Sequence, residues 1–277
     1  MPYVDAAGVQ IHYVEHGPAE AERTLVLLHG FTPDHRLMTG CFEPVLTGRA
    51  GWRRVYLDLP GMGRSIAPEH VASTDDVYAV VRGAIDELVP GPYAVAGESY
   101  GGYLARGLAA EHGARVSGMA LICPMLVAEH AARDVPEHAV LAEDSFCAAL
   151  PRDSEFRQIA VVQTEQTYRR TVAEIDPGLH AADEVALERI RRGGWSGSFP
   201  REPQGSTYDA PVLLLTGRQD SSTGYRDAWP LLDHYPRATF AVLDRAGHNA
   251  QIEQPALFEA LVAEWLDRVE ELGSPQS

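Results

Sequence analysis

Short apolar runs of strand length alternate along this chain with longer stretches whose apolar residues recur at helical spacing. Residues 24–28, 55–59, 93–96, 116–122, 212–215 and 239–243 are rich in Val, Leu and Ile with little polar interruption. Such near-continuous runs predict parallel strands covered on both faces. Between them, residues 75–88, 103–111 and 255–269 predict amphipathic helices. The last of these opens with a proline at its first position and sets Phe258, Leu261, Val262 and Trp265 along one stripe. Residues 3–5 and 10–14 flank an Ala-Gly turn and predict an N-terminal hairpin. The sum is an α/β chain: a mostly parallel sheet with helices on both faces.

One stretch breaks this rhythm. Between residues 125 and 208 no buried strand is evident, and helical patterns surround a glycine-rich loop, Gly193-Gly194-Trp195-Ser196-Gly197. The expected organisation is a core of residues 1–124 and 209–272, an inserted helical cap over 125–208, and a frayed tail over 273–277. Insertions at the carboxyl edge of an open α/β sheet usually shape its binding site.

Composition narrows the function classes. A chain of 277 residues with 45% hydrophobic content can build one large core. A formal net charge of -16 disfavours nucleic acid and anionic membrane as partners. All 23 basic residues are arginine, which removes lysine Schiff bases and phosphate-cradling P-loops. Cys41, Cys123 and Cys147 have no metal-ligand spacing, and an odd count predicts free thiols in a reducing compartment. With no secretory signal pattern and no apolar run of membrane-spanning length, a cytoplasmic location is expected. Oligomeric state has no signature.

The chemistry gathers where strands end. Gly97-Glu98-Ser99-Tyr100-Gly101 follows the run 93–96 and precedes a helix. A serine hydroxyl is a weak nucleophile, and a sharp strand-to-helix turn exposes it while small neighbours let the two elements pack closely. His248 follows the last strand after a glycine, and its imidazole suits a general base. Asp220 follows the strand at 212–215 and would orient that base; Asp244 is a rival at the end of the next strand. The order Ser, Asp, His is the one expected for α/β-hydrolases. Two oxyanion donors are expected, the backbone N–H groups of Phe31, in His29-Gly30-Phe31-Thr32, and of Tyr100. His29 reads as a structural residue holding that loop.

With these residues in view, the chain resembles the α/β-hydrolase superfamily over essentially its whole length. The resemblance rests on Leu28-His29-Gly30-Phe31, Asp58-Leu59-Pro60-Gly61-Met62-Gly63-Arg64-Ser65, the serine turn, Gly217-Arg218-Gln219-Asp220, and Gly247-His248 followed by Glu253-Gln254-Pro255. It implies Ser99, Asp220 and His248 as a catalytic triad, a cap that governs substrate choice, and no metal or organic cofactor. The segment from Asp58 to Ser65 is then a structural loop near the pocket. Serine at the nucleophile position separates the chain from the dehalogenases and epoxide hydrolases, which carry aspartate there. The run Gly247-His248-Asn249-Ala250-Gln251-Ile252-Glu253 fits meta-cleavage C–C hydrolases, whereas His29-Gly30-Phe31-Thr32-Pro33-Asp34 lacks their usual His-Gly-x-Gly-Pro-Gly loop.

The expected function is therefore serine hydrolysis of a small carboxylic ester or lactone through an acyl-serine intermediate. C–C bond hydrolysis, and a lyase or ligand-binding role on the same fold, are the alternatives. Met125 and Trp195 are the expected substrate contacts. Among the other aromatics, Phe146, Phe156, Tyr168 and Phe199 read as core of the cap or as pocket lining, and the Arg169-Arg170 pair reads as a solvated helix face.

Overall fold

The computed structural model describes residues 2–202 and 207–272. The frayed end expected at 273–277 and part of the expected cap lie outside them. Strands β1 (Tyr3–Ala6) and β2 (Val9–His16) form the N-terminal hairpin. The chain continues through β3 (Arg23–Leu28), α1 (His35–Leu46), β4 (Trp52–Leu57), α2 (Thr74–Leu88), β5 (Tyr93–Glu98), α3 (Tyr100–His112) and β6 (Val116–Ile122). The inserted segment holds two short strands, β7 (Ala142–Glu143) and β8 (Val162–Gln163). Its helices are α4 (Ser145–Ala148), α5 (Glu155–Ile159), α6 (Glu165–Glu174), α7 (Asp176–Ala181) and α8 (Glu184–Gly193). The core resumes with β9 (Val212–Gly217), β10 (Ala238–Leu243), α9 (Ala250–Glu253) and α10 (Pro255–Leu272).

Eight strands form one sheet in the order β1-β2-β4-β3-β5-β6-β9-β10. Only β2 runs against its neighbours; the remaining pairings are parallel. Alternation along β3 shows why its run is apolar throughout. Val26 and Leu28 join the core under α2 and α3, whereas Leu25 and Leu27 join the core under α1 and α10. Successive side chains leave a strand on opposite faces, so burial on both sides demands apolar residues at every position.

Two elements depart from the expectation. The run pattern does not predict α1, because Gly40 and Pro44 interrupt it. Its buried stripe of Leu37, Met38, Cys41, Phe42 and Leu46 nevertheless packs the helix onto the sheet, with Phe42 edge-on to Phe258 of α10. Tertiary packing outweighs the local cost of those two residues. Strand β10 is half exposed rather than buried, as an edge strand can be. The three cysteines are free, as expected, and all are buried. No helix among the described residues is long and apolar enough to cross a membrane.

Candidate active site

Strand β5 ends at Glu98 and α3 starts at Tyr100, leaving Ser99 alone to reverse the chain, at φ 50 and ψ -114. A non-glycine residue in that region costs about 1–3 kcal/mol and persists only where its surroundings enforce it. Here the Ser99 N–H donates to the Ile122 carbonyl at 2.9 Å, and the Ser99 carbonyl accepts from Met125 N–H at 2.9 Å and Tyr103 N–H at 3.2 Å. Close packing does the rest. A side chain at Gly101 would collide with the Leu28 and His29 carbonyls, so the small residues of the serine turn let α3 sit directly on the sheet edge.

The parallel topology brings three separate loops to this edge. His248 Nε2 lies 3.0 Å from Ser99 Oγ, and His248 Nδ1 lies 3.0 Å from Asp220 Oδ2. Asp220 is wholly buried, and its acceptor capacity is used: Oδ1 accepts from the N–H groups of Ser222 and Thr223, and Oδ2 from the Thr223 hydroxyl at 2.7 Å. Burial resists its ionisation, but the charge and hydrogen bond of His248 and the Thr223 bonds hold its carboxyl below the ordinary value. A carboxylate only accepts, so His248 Nδ1 carries a proton in either charge state, and Nε2 becomes an acceptor for Ser99 once the ring is neutral. Burial opposes charging of His248, yet Asp220 by charge and hydrogen bond, with Glu98 by charge, lifts it to about 9. Asp244, the rival acid, is exposed and accepts from Gln219 instead.

Phe31 and Tyr100 flank Ser99. Their rings meet edge-on at 5.4 Å, and Tyr100 opens α3, whose N-terminus directs positive potential toward Ser99. His29 does hold the preceding loop: its Nδ1–H donates to the Gly30 carbonyl at 2.7 Å, while its Nε2 accepts from Leu59 N–H at 2.9 Å.

A cavity of about 750 Å³ opens over Ser99 and His248. Its floor comes from the sheet-edge loops, including Gly30, Phe31, Thr32 and Asn249, and its walls from the inserted segment, including Phe156, Ile159, Tyr168, Leu179 and Arg191. Two expected contacts are corrected here. Met125 is not a lining residue; its side chain is buried in the core, and it serves Ser99 through its backbone. Trp195 is not a lining residue either, but packs behind Phe31 at 4.8 Å and Tyr100 at 5.9 Å. Its glycine loop is anchored by Gly194 and Gly197, bonded to Thr74 and Tyr103. Of the remaining aromatics, Phe156 and Tyr168 line the cavity, while Phe199 stacks on Tyr78 at 3.8 Å. Arg169 pairs with Glu165 on the surface, but Arg170 is no solvated residue: it joins Glu174 and the Gln251 carbonyl, tying α6 to α9.

Three residues gain a place that sequence reading did not assign. Glu98, one residue before the nucleophile, is buried with Oε1 3.5 Å from His248 Nε2. Glu253 accepts from Val161 and Val162 of the inserted segment on one oxygen and from Gly247 on the other, so it ties that segment to the His248 loop. Arg191 is the one arginine among the described lining residues and lies 5.2 Å from the Phe31 ring centre. No local pattern marks these roles, although a glutamate beside a motif serine at a buried strand end was visible.

Among the described residues, His12, His35 and Asp58 have the spacing of a metal-ligand group. Asp58 Oδ1 accepts from His35 N–H and Nδ1, and Oδ2 from His12 Nδ1 and Arg64 N–H. Both carboxylate oxygens are thus engaged, and the cluster is a closed hydrogen-bond node.

An eight-stranded sheet of this order, with a Ser–His–Asp chain across its carboxyl edge and a covered cavity above, defines a hydrolase of the α/β type. A family model described as alpha/beta hydrolase fold matches residues 23–255, and the chain belongs to that family. It is 25% identical over 278 residues to a 2-hydroxy-6-oxononadienedioate/2-hydroxy-6-oxononatrienedioate hydrolase of Burkholderia vietnamiensis, covering 95% of this chain and 93% of that one. It is 27% identical over 271 residues to a pimeloyl-[acyl-carrier protein] methyl ester esterase of Nitrosomonas europaea, covering 91% and 97%. Among solved structures, an alpha/beta superfamily hydrolase of Oenococcus oeni superposes with a TM-score of 0.86 at 27% identity, covering 98% of this chain and 100% of that one.

Proposed function

We propose that this protein is a serine hydrolase that cleaves a carboxylic ester or lactone of a small molecule through an acyl-Ser99 intermediate. The observation that carries the reading is the pair of 3.0 Å hydrogen bonds linking Ser99, His248 and Asp220 at the floor of the cavity. Ser99 Oγ bonds to the carbonyl carbon as its proton passes to His248 Nε2. Asp220 holds the ring and balances its charge, and the Phe31 and Tyr100 amides receive the developing oxyanion. Collapse breaks the bond to the leaving oxygen, which takes the proton from His248. Water then repeats the sequence and frees Ser99 and the acid. The segment between β6 and β9, in this reading, is a cap that excludes water and selects the substrate.

Arg191 lies 3.8 Å from Glu184 and 3.7 Å from Glu188 at the cavity wall, so a substrate carboxylate would engage its guanidinium in exchange for these long ion pairs. A second reading, hydrolysis of a C–C bond in a vinylogous diketone acid, is favoured by the dienedioate hydrolase relative and by the 247–253 run. One experiment tests both. The protein is treated with a fluorophosphonate, and turnover of nitrophenyl esters is compared with cleavage of a vinylogous diketone acid, each in wild type and Ser99→Ala. Labelling with Ser99-dependent ester turnover supports the first reading. Labelling with cleavage of the diketone alone transfers support to the second. A folded protein whose Ser99 does not label overturns both.

A further inference from the structure

Glu98 is a buried acid that the proposed reaction leaves unused. It closes β5, is 3% exposed, and faces His248 from the side away from Asp220. The imidazole therefore lies between two carboxylates: Asp220 Oδ2 at 3.0 Å from Nδ1 and Glu98 Oε1 at 3.5 Å from Nε2, the nitrogen that also meets Ser99 Oγ. The second oxygen of Glu98 rests against Gly30, where any Cβ would strike it, and the Gly30 backbone favours the charged form of this carboxyl. The glycine of the loop before Phe31 thus leaves room for the acid. A mere staple for Gly30 would be served equally by neutral glutamine, without the cost of desolvating a charge.

We propose that Glu98 is a positioning residue, a second carboxylate that stabilises the His248 imidazolium and couples that proton to its own. This rests on the reading of His248 as the base acting on Ser99. The groups facing the pair come from every neighbouring element. Asp220 follows β9, Cys123 follows β6, Cys41 lies in α1, and Arg133 reaches in from the inserted segment. Both thiols are pushed up by burial and stay neutral. Burial drives the Glu98 carboxyl up to about 7, opposed by the His248 charge, while Asp220 adds to the rise. Arg133 acts on His248 in the opposite sense to the two acids. The dominant ionic state just above neutrality is then Glu98 carboxylate with His248 imidazolium, and Glu98 takes up a proton as the pH falls below that.

His248 must shed its proton before it can accept one from Ser99, so the acid limb of kcat/KM follows its titration. Removing the Glu98 charge in Glu98→Gln lowers that titration, and the limb moves to lower pH by about one unit or more. The high-pH plateau falls about tenfold, because the imidazolium formed on the way to the transition state loses a counter-charge. A merely structural role would lower the plateau and leave the limb in place.

The test is NMR of the full chain labelled with 15N-histidine, with the His248 resonances identified by their loss in His248→Ala. Wild type is expected to show a main inflection near 9 and a smaller one near 7, and Glu98→Gln a single inflection shifted downward. The wild-type titration decides the matter alone if Glu98→Gln does not fold: one inflection near the ordinary histidine value of 6.5 overturns the proposal. An unchanged His248 titration in a folded Glu98→Gln overturns it too, as does an acid limb that stays put while the NMR titration moves. Coupling seen in a protein whose Ser99 does not label with fluorophosphonate removes the hydrolytic reading alone. Labelling without coupling removes this inference alone.

Discussion

Two buried aspartates in this molecule bind histidine in nearly the same way and serve different ends. Asp58 meets His12 Nδ1 and His35 Nδ1 at 2.8 Å each, and Asp220 meets His248 Nδ1 at 3.0 Å. Both carboxyls are held below their ordinary range against the penalty of burial, Asp58 by the His35 hydrogen bond and the nearby histidine charges, Asp220 chiefly by His248. The difference lies beyond the pair. Around Asp58 the remaining bonds return to backbone, from His35 and Arg64, and the Ser65 hydroxyl closes the loop onto the Asp58 carbonyl. His248, by contrast, presents its far nitrogen to Ser99 beneath the cavity. An Asp–His pair becomes reactive only where its other end faces a nucleophile and open space.

The comparison can be broken most decisively at Ser99. In Ser99→Ala, kcat should fall by about 10⁴–10⁶-fold, while the melting temperature stays within a few degrees of wild type. Asp220→Asn should cost about 10⁴-fold in kcat, because the amide no longer imposes the useful tautomer on His248. A steady-state assay on a substrate found by the ester and diketone panel reads both, and full activity in either variant would dissolve the distinction between the two nodes.

Asp58→Asn should act on the other side of the contrast. We expect a loss of about 2–4 kcal/mol in urea unfolding, with the rate per folded molecule unchanged, because Asn keeps one acceptor oxygen but sets a buried amide N–H₂ against the donors that met the other, and removes the charge that the two histidines face. The pH dependence has a definite sign. A carboxyl held low in the folded state stabilises it above the unfolded value of about 4, and that contribution is lost as pH falls through the folded value. Wild type should therefore lose stability on acidification more steeply than Asp58→Asn. A variant that unfolds normally but turns over slowly would place Asp58 in the reaction instead.

The smallest effect is expected at Glu253, which joins the two regions. Gln places an amide N–H₂ where a second acceptor stood, facing N–H groups of Gly247 or Val161 and Val162. Glu253→Gln should lose about 1–3 kcal/mol of stability. Hydrogen exchange should quicken at residues 161–163 and 247–249 together, and protection that changes in only one of these segments would show that they are not tied through this carboxyl.

Much of the fold was legible because periodicity is local. Leu25 to Leu28 are apolar at every position since each face of β3 is covered, and that requirement is written in consecutive residues. Ser99 was legible because a nucleophile at a strand-to-helix turn needs small neighbours at fixed offsets, and Asp220 and His248 because each follows a strand. Helix α1 was not, since Gly40 and Pro44 speak against a helix that packing alone upholds. Nor were the cavity walls: Met125 follows a strand end and Trp195 sits in a glycine-rich loop of the inserted segment, yet one faces the core and the other packs against Phe31.

The sequence by itself determined the alternation of strand and helix, the order Ser99, Asp220, His248, and their common place at strand ends, because these depend on near neighbours and on the direction of parallel strands. Only the tertiary structure decided which acid reaches His248, that Glu98 stands on its other side, that Glu253 binds the inserted segment to the histidine loop, and which side chains face the cavity. Those outcomes join residues as far apart as 149 positions, as Ser99 and His248 are, and follow from packing geometry that no local pattern encodes.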